Sequence, residues 1–129
     1  RVTPYHIDTL NRNEIFVFGS NREGIHNGGA AAFAVRNFGA IIGQGEGLQG
    51  RSYAIPTTGS LHELEMAVQR FIIFAEHNED YHFLVTAVGC GNAGLSPREV
   101  APLFRHAISL HNVSLPKEFW DFYGISNFR

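Results

Sequence analysis

Apolar residues along this chain come in short bursts separated by glycine-rich breaks, and the period within each burst differs from one to the next. "EIFVFGSN" holds four consecutive apolar residues, Ile15 to Phe18, between polar neighbours. A run that short and unbroken predicts a strand covered on both faces, ending at Gly19. "GGAAAFAVRNFGA" then supplies three alanines, Phe33, Ala34 and Val35, a compact apolar helix that Gly39 can close as its C-terminal cap. "AIIGQGEGLQGRSYAIPTTG" predicts two further short strands, around Ala40 to Ile42 and Ser52 to Ile55. The segment between them, with Gly43, Gly45, Gly47 and Gly50, is expected to be an irregular loop or hairpin.

The helical period is clearest after Ser60. Ser60 and Glu63 have capping-box spacing, and Leu61, Leu64, Val68, Phe71 and Ala75 recur on one face, so a helix is expected to about His77. "YHFLVTAV" reads as a central strand. Ser96, Pro97 and Glu99 give an N-cap, a first-turn proline and a second capping box for another helix with an apolar face of Val100, Leu103, Phe104, Ala107 and Ile108. Pro102 falls inside it and predicts a kink or a later start. "NVSL" can form a last strand, and "KEFWDFYGISNFR" packs five aromatics into thirteen residues, with Phe119 and Trp120 the expected anchors of a core cover. Strands alternating with helices in segments this short imply an α/β sandwich with a parallel or mixed sheet.

Composition narrows the picture. A chain of 129 residues, 44% hydrophobic and 17% charged, fits one domain, residues 1–129. A net charge of -2 argues against a duplex-DNA surface, although a local patch of Arg22, Arg36 and Arg51 escapes such a count. The single cysteine, Cys90, excludes an internal disulfide framework and a multi-cysteine zinc site, and a reducing cytoplasm is the simplest setting. No segment has the apolar length of a membrane helix, and "RVTPYHIDTL" lacks the apolar middle of a signal peptide, so a chain that is soluble and not exported is expected. The histidines, His6, His26, His62, His77, His82, His106 and His111, form no helical i, i+4 pair, and no metal or other cofactor is called for.

Two strand-to-helix junctions share one design: "FGSNREGIHNGGAAA" and "VGCGNAGLSPRE". Glycines let a backbone pass close to a ligand, and the free N–H groups at a following helix start attract anions. Together the loops suit a diphosphate; for either alone, an ordinary turn is the competing reading. In open α/β sheets ligands sit beyond the carboxyl ends of the strands, where both loops lie if their strands are parallel neighbours. No glycine loop is followed by Lys and Ser or Thr, so a triphosphate P-loop is absent. "GQGEG" only superficially resembles the dinucleotide fingerprint, because it opens no apolar helix.

The order "IFVFGSN", "HNGGAAAFAV", "SYAIPTTG", "FLVTAVGCGNAGLSPREVAPLF" resembles that of macro domains, the ADP-ribose-binding α/β/α modules. From Ile15 to Leu115 the chain is most similar to small macro-domain-like proteins of bacteria and their phages. The resemblance implies a three-layer α/β/α sandwich around a mixed sheet and two loops that embrace a diphosphate and the distal ribose. Asn21, Gly28, Gly29 and Ala30 match the family's first loop, and Gly91, Asn92, Ala93, Gly94 and Pro97 its second. The implied contacts extend to Ser20 and Asn27 on one side, and to Gly89, Cys90 and Leu95 on the other. The family's paired asparagines are reduced to Asn21, and Asp8 is the nearest match to its adenine-reading acid, out of register.

Cutting an ADP-ribose linkage requires a positioned water and stabilisation of an oxocarbenium-like centre. Glu46 on "GQGEGLQG" is the carboxylate candidate, with Glu23 another; His26 is a candidate acid or base, and Asn21 a further catalytic candidate. The competing readings are a solvated surface acid and a loop-filling histidine. Cys90, at a strand end near a helix start, is a candidate nucleophile, against its reading as a small packing residue. The expected function is binding of ADP-ribose or a related nucleotide-diphosphate sugar, with hydrolysis of an ADP-ribose linkage as a further step. The alternative is a non-catalytic reader or protein-interaction module that recognises an ADP-ribosylated protein or nucleic acid, or a signalling nucleotide.

Overall fold

The computed structural model describes residues 1–124. It is an α/β fold with a mixed five-stranded sheet, order β2-β3-β1-β4-β5, and, among the described residues, four α-helices. β1 (Glu14–Ser20) lies at the centre, hydrogen-bonded in parallel to β3 (Ser52–Pro56) on one side and β4 (His82–Val85) on the other. β5 (Val113–Ser114) continues the sheet in parallel beyond β4, and Val2 bridges in parallel to Leu115. β2 (Gly47–Gln49) forms the opposite edge, antiparallel to β3.

The unbroken apolar run of β1 is explained by what covers it. Ile15 and Val17 join one core with Tyr53, Ile55, Phe83 and Val85, while Phe16 and Phe18 point the other way and join a second core with Ala54. Alternate side chains of one strand thus enter two different cores. α1 (Gly29–Asn37) covers the second core with Ala31 and Ala34, and Phe38 and Phe16 meet at 5.1 Å between ring centroids. α2 (Leu61–Glu76) packs Leu64, Ala67, Val68, Phe71, Ile72 and Ala75 into the first. Phe71, Phe83, Phe104 and Phe119 are fully buried there, each contributing roughly 1.5 to 3 kcal/mol by burial, so aromatic packing sets this core.

Local signals mostly acted as expected. Gly39 follows α1 at φ 77, the left-handed conformation of a C-terminal cap. The first capping box is complete: the Ser60 N–H donates to Glu63 Oε1 at 2.8 Å, and the Glu63 N–H donates to Ser60 Oγ at 3.1 Å. Leu61 departs from the expected stripe; beside that exposed cap it is 46% exposed. At the second box the Ser96 N–H donates to Glu99 Oε1 at 2.9 Å and starts α3 (Pro97–Val100). Pro102 then has its effect, because the chain tightens into a 3-10 segment, Ala101–Ala107. Its buried residues, Ala101, Phe104 and Ala107, fall every third position, as three residues per turn require.

The strand expected at Ala40 to Ile42 is a correction. Ile41 and Ile42 are 51% and 69% exposed, and the strand that pairs with β3 is Gly47–Gln49. The Ile41 N–H donates to the Gln49 side-chain Oε1 at 2.8 Å, so a side chain satisfies it in place of a sheet neighbour. α4 (Lys117–Tyr123) gives the aromatic tail its structure, with Phe119 and Trp120 buried and Trp120 Nε1 donating to the Arg1 and Leu115 carbonyls. Phe128 of that tail lies outside the described residues. Among the described residues no helix is long and apolar enough to cross a membrane, and no cluster of three or more His, Cys, Asp or Glu could hold a metal.

Candidate functional site

β1 and β4 are adjacent parallel strands, so the loops that follow them emerge at the same edge of the sheet. Between those loops lies a cleft of about 570 Å³. Its floor is made by the strand ends: Gly19 of β1, Thr57 and Thr58 after β3, and Thr86 and Ala87 after β4. Hydrogen bonds lock that floor, with the Thr57 N–H and hydroxyl both on the Ser20 carbonyl at 2.8 and 3.0 Å, and the Thr86 hydroxyl on the Val17 carbonyl at 2.7 Å.

The first wall is the loop after β1. Asn21 closes it on itself, since Oδ1 accepts from the Ile25 N–H at 2.8 Å and Nδ2 donates to the Ile25 carbonyl at 3.3 Å. Gly28 caps α1 in an extended conformation, and Gly29 opens the helix at φ 55, a region that favours glycine. The N–H groups of Gly28, Gly29 and Ala30 precede any intrahelical acceptor and have no other among the described residues, and all three residues line the cleft. Alanines at positions 30 and 31 keep the helix start open.

The second wall is the loop after β4. The Gly94 N–H reaches the Gly91 carbonyl at 3.0 Å and the Leu95 N–H reaches the Gly89 carbonyl at 2.9 Å. Gly89 and Gly94 sit at φ 80 and 76. Gly91, Asn92 and Ala93 line the cleft, and among the described residues their N–H groups have no backbone acceptor. The walls come close at Gly28, where a Cβ would lie 3.1 Å from Asn92 Nδ2.

The cleft runs into a second, more apolar chamber of about 370 Å³, lined by Phe16, Phe33, Ile7, Tyr5, Pro4 and Pro116 among others. Gly29, Ala30, Thr86, Ala87 and Glu118 line both. Among the described residues Glu118 is the one charged side chain on the cleft wall; no Lys or Arg lines it. An anion would therefore meet backbone N–H groups and the α1 N-terminus.

Of the residues singled out in the sequence, Ser20, Asn21, Asn27, Gly28 and Gly29 line the first wall, and Gly89, Cys90, Gly91, Asn92 and Ala93 the second. Gly94 and Leu95 lie behind, completing the turn. Ser20 is buried, its hydroxyl donating to the Gly45 carbonyl. Four candidates lie elsewhere: Glu46, His26, Asp8 and Glu23. Glu46 holds Arg70 through two hydrogen bonds of 2.6 and 3.0 Å, outside the cleft wall. His26 is 4% exposed and lies behind the first loop, with Nε2 between the Gln44 carbonyl at 3.0 Å and Gln49 Oε1 at 3.2 Å. Both neighbours are acceptors, so Nε2 carries the proton, and Nδ1 is buried with no hydrogen-bond partner among the described residues. Asp8 is exposed and pairs with His6 Nε2 at 3.0 Å; His6 lines the apolar chamber and Asp8 does not.

Glu23 is exposed and off the cleft wall. Burial pushes the Cys90 thiol up from its ordinary range, and the nearby carboxylates of Glu118 and Glu99 push it further, which disfavours a thiolate nucleophile. Two arginines of the basic patch have partners: Arg22 pairs with Glu63 at 3.3 Å, and Arg51 donates to the carbonyls of Leu10 and Asn11.

"GQGEGLQG" is the brace of the first loop. A Cβ on Gly45 would collide with the carbonyls of Asn21 and Arg22, the Gly43 N–H donates to the Gly24 carbonyl at 2.9 Å, and Gln44 and Gln49 hold His26. The cleft residues that sequence reading missed include Thr57, Thr58, Thr86, Ala87, Ile25 and Glu118. The threonines had a signal, since they directly follow apolar strands and ligands sit beyond the carboxyl ends of parallel strands. Glu118 had none, because only tertiary folding brings α4 to the cleft. Comparison with protein-family models, with curated proteins and with solved structures finds no match.

Proposed function

We propose that the cleft binds ADP-ribose or a related nucleotide-diphosphate sugar. The observation that carries this reading is the pair of glycine loops that line one cleft, with backbone N–H groups that have no acceptor among the described residues, next to an apolar, aromatic-lined chamber. Such a ligand has a doubly charged centre, which suits backbone donors at a helix start, and a flat heteroaromatic end, which suits Phe16 and Phe33. Helices on both faces of a mixed sheet, with both loops at the carboxyl ends of adjacent parallel strands, support a three-layer macro-domain-like sandwich.

Binding is the primary act in this reading, because Glu46 and His26 are held in contacts away from the cleft. Asn21 is the catalytic candidate that does line it, which keeps hydrolysis of an ADP-ribose linkage as the second reading. Titration calorimetry decides the first point: saturable heat is expected with ADP-ribose, and weaker binding with AMP and ribose 5-phosphate, which each fill part of the site. The absence of a saturable signal from all three at millimolar concentration would overturn it. Incubation with an ADP-ribosylated protein then separates the readings, since released ADP-ribose identifies a hydrolase and stable capture a reader.

A further inference from the structure

Glu118 stands where the glycine-loop cleft meets the apolar chamber, in the first turn of α4. It is exposed, and among the described residues no hydrogen bond or ion pair holds its carboxylate. Its neighbour Lys117 is directed along the helix to Asp121 at 2.9 Å, so the adjacent cation is engaged elsewhere. The other residues shared by cleft and chamber are Gly29, Ala30, Ala87 and Thr86, and the Thr86 hydroxyl is already given to Val17. Glu118 is thus the free polar side chain at the junction.

An acid beside an anion cleft repels phosphate and weakens its binding. Its position makes sense if the group that reaches the junction is a donor. A nucleotide with its base in the apolar chamber and its diphosphate between the loops carries its base-linked ribose across the shared residues. That ribose offers two vicinal hydroxyls, and a carboxylate accepts hydrogen bonds only. Acidic residues take a ribose 2′-hydroxyl in dinucleotide-binding folds in the same way, where a 2′-phosphate calls for arginine.

We propose that Glu118 selects the sugar of the bound nucleotide, accepting hydrogen bonds from the 2′- and 3′-hydroxyls of the base-linked ribose and rejecting ligands with a 2′-phosphate there. This inference rests on the ADP-ribose reading of the cleft, and the experiment separates the two. The whole chain and its Glu118→Gln and Glu118→Ala variants are titrated with ADP-ribose and with its 2′-deoxy and 2′-phospho forms, modified on the base-linked ribose. Glu118 is exposed, so both variants should keep the thermal midpoint of the parent.

The parent is expected to prefer ADP-ribose over the 2′-phospho form by about tenfold or more, and over the 2′-deoxy form by several-fold, about the net worth of one solvent-exposed hydrogen bond. Glu118→Gln should lower the first preference to about threefold or less, since the amide keeps the shape and removes the charge. Equal affinity of the parent for ADP-ribose and its 2′-phospho form, or an equal shift of all three ligands in both variants, overturns the role of Glu118 and leaves the cleft reading standing. No saturable binding of ADP-ribose to the parent removes both.

Discussion

The two glycine loops look alike in sequence and are held in opposite ways. The first is braced from outside: Asn21 clasps Ile25, Ser20 ties to Gly45, the Gly43 N–H reaches Gly24, and His26 is gripped by Gln44 and Gln49. The second is held by turns of its own backbone, Cys90 on Ala87, Gly94 on Gly91 and Leu95 on Gly89. Its glycines differ accordingly. A Cβ at Gly24 in the first loop or at Gly45 in its brace would strike neighbouring backbone, whereas one at Gly91 or Gly94 would meet nothing within 4 Å; at the cleft end Gly29 is open too, and Gly89 meets only side chains. A glycine-rich loop can therefore signal close packing or open access, and the neighbours decide which.

That contrast predicts the largest effect in the brace. Gly45→Ala should destabilise the fold by about 2 to 3 kcal/mol, because its Cβ meets rigid carbonyls that cannot move without dragging the first loop. Urea unfolding measures it; a loss below about 0.5 kcal/mol, the scale of a neutral surface change, would show that the brace yields. Gly91→Leu is the opposite case. Its site is open and its backbone is not left-handed, so stability should change by less than about 0.5 kcal/mol. Binding of ADP-ribose should nonetheless fall by tenfold or more, because the side chain enters the cleft where an anion would meet the loop. Unaltered affinity in a folded Gly91→Leu chain would separate the second loop from the site. Asn21→Ala comes next, removing the clasp on Ile25 at about 1 kcal/mol of stability and weakening binding several-fold. An unfolding midpoint equal to the parent's would mean that the brace alone holds the first loop.

How much of this was legible follows from the range of the forces involved. Caps, turns and apolar period act over a few residues, so Ser60 with Glu63, Gly39 and the break at Pro102 could be read directly. The apolar run Ile15 to Phe18 announced a strand covered on both sides, and two cores do flank it. Both cleft walls were visible for the same reason, as glycines between a strand and a helix start. Ile41 and Ile42 misled because β-branched residues suit a strand wherever they fall, and a distant side chain, Gln49, took the backbone donor that pairing would have used. Glu46 and His26 looked available beside flexible glycines, but Arg70 lies twenty-four residues from Glu46 in sequence, and no local pattern joins them. Glu118 reaches the cleft only through the packing of α4, anchored by Phe119 and Trp120.

The smallest expected effect gives the finest view of the second loop. Cys90 is half-buried on the cleft wall, and its thiol is raised above the ordinary value of 9.0, first by burial and then by the charges of Glu118 and Glu99. The thiolate is the species that reacts, so alkylation by iodoacetamide at neutral pH should be slower than for free cysteine and should rise only as the solution passes well above that value. The sign of the stability linkage agrees: a thiol raised in the folded state is stabilising below its unfolded value and loses that contribution as pH climbs. Glu118→Gln removes one negative charge and should move the reaction profile to lower pH, by less than burial moved it upward. ADP-ribose bound in the cleft should slow the reaction further, while leaving that of an unfolded control unchanged. A profile indifferent to Glu118 would place that carboxylate too far from the second loop to sense it, and a rate indifferent to ligand would mean that the loop glycines stay open when the site is filled.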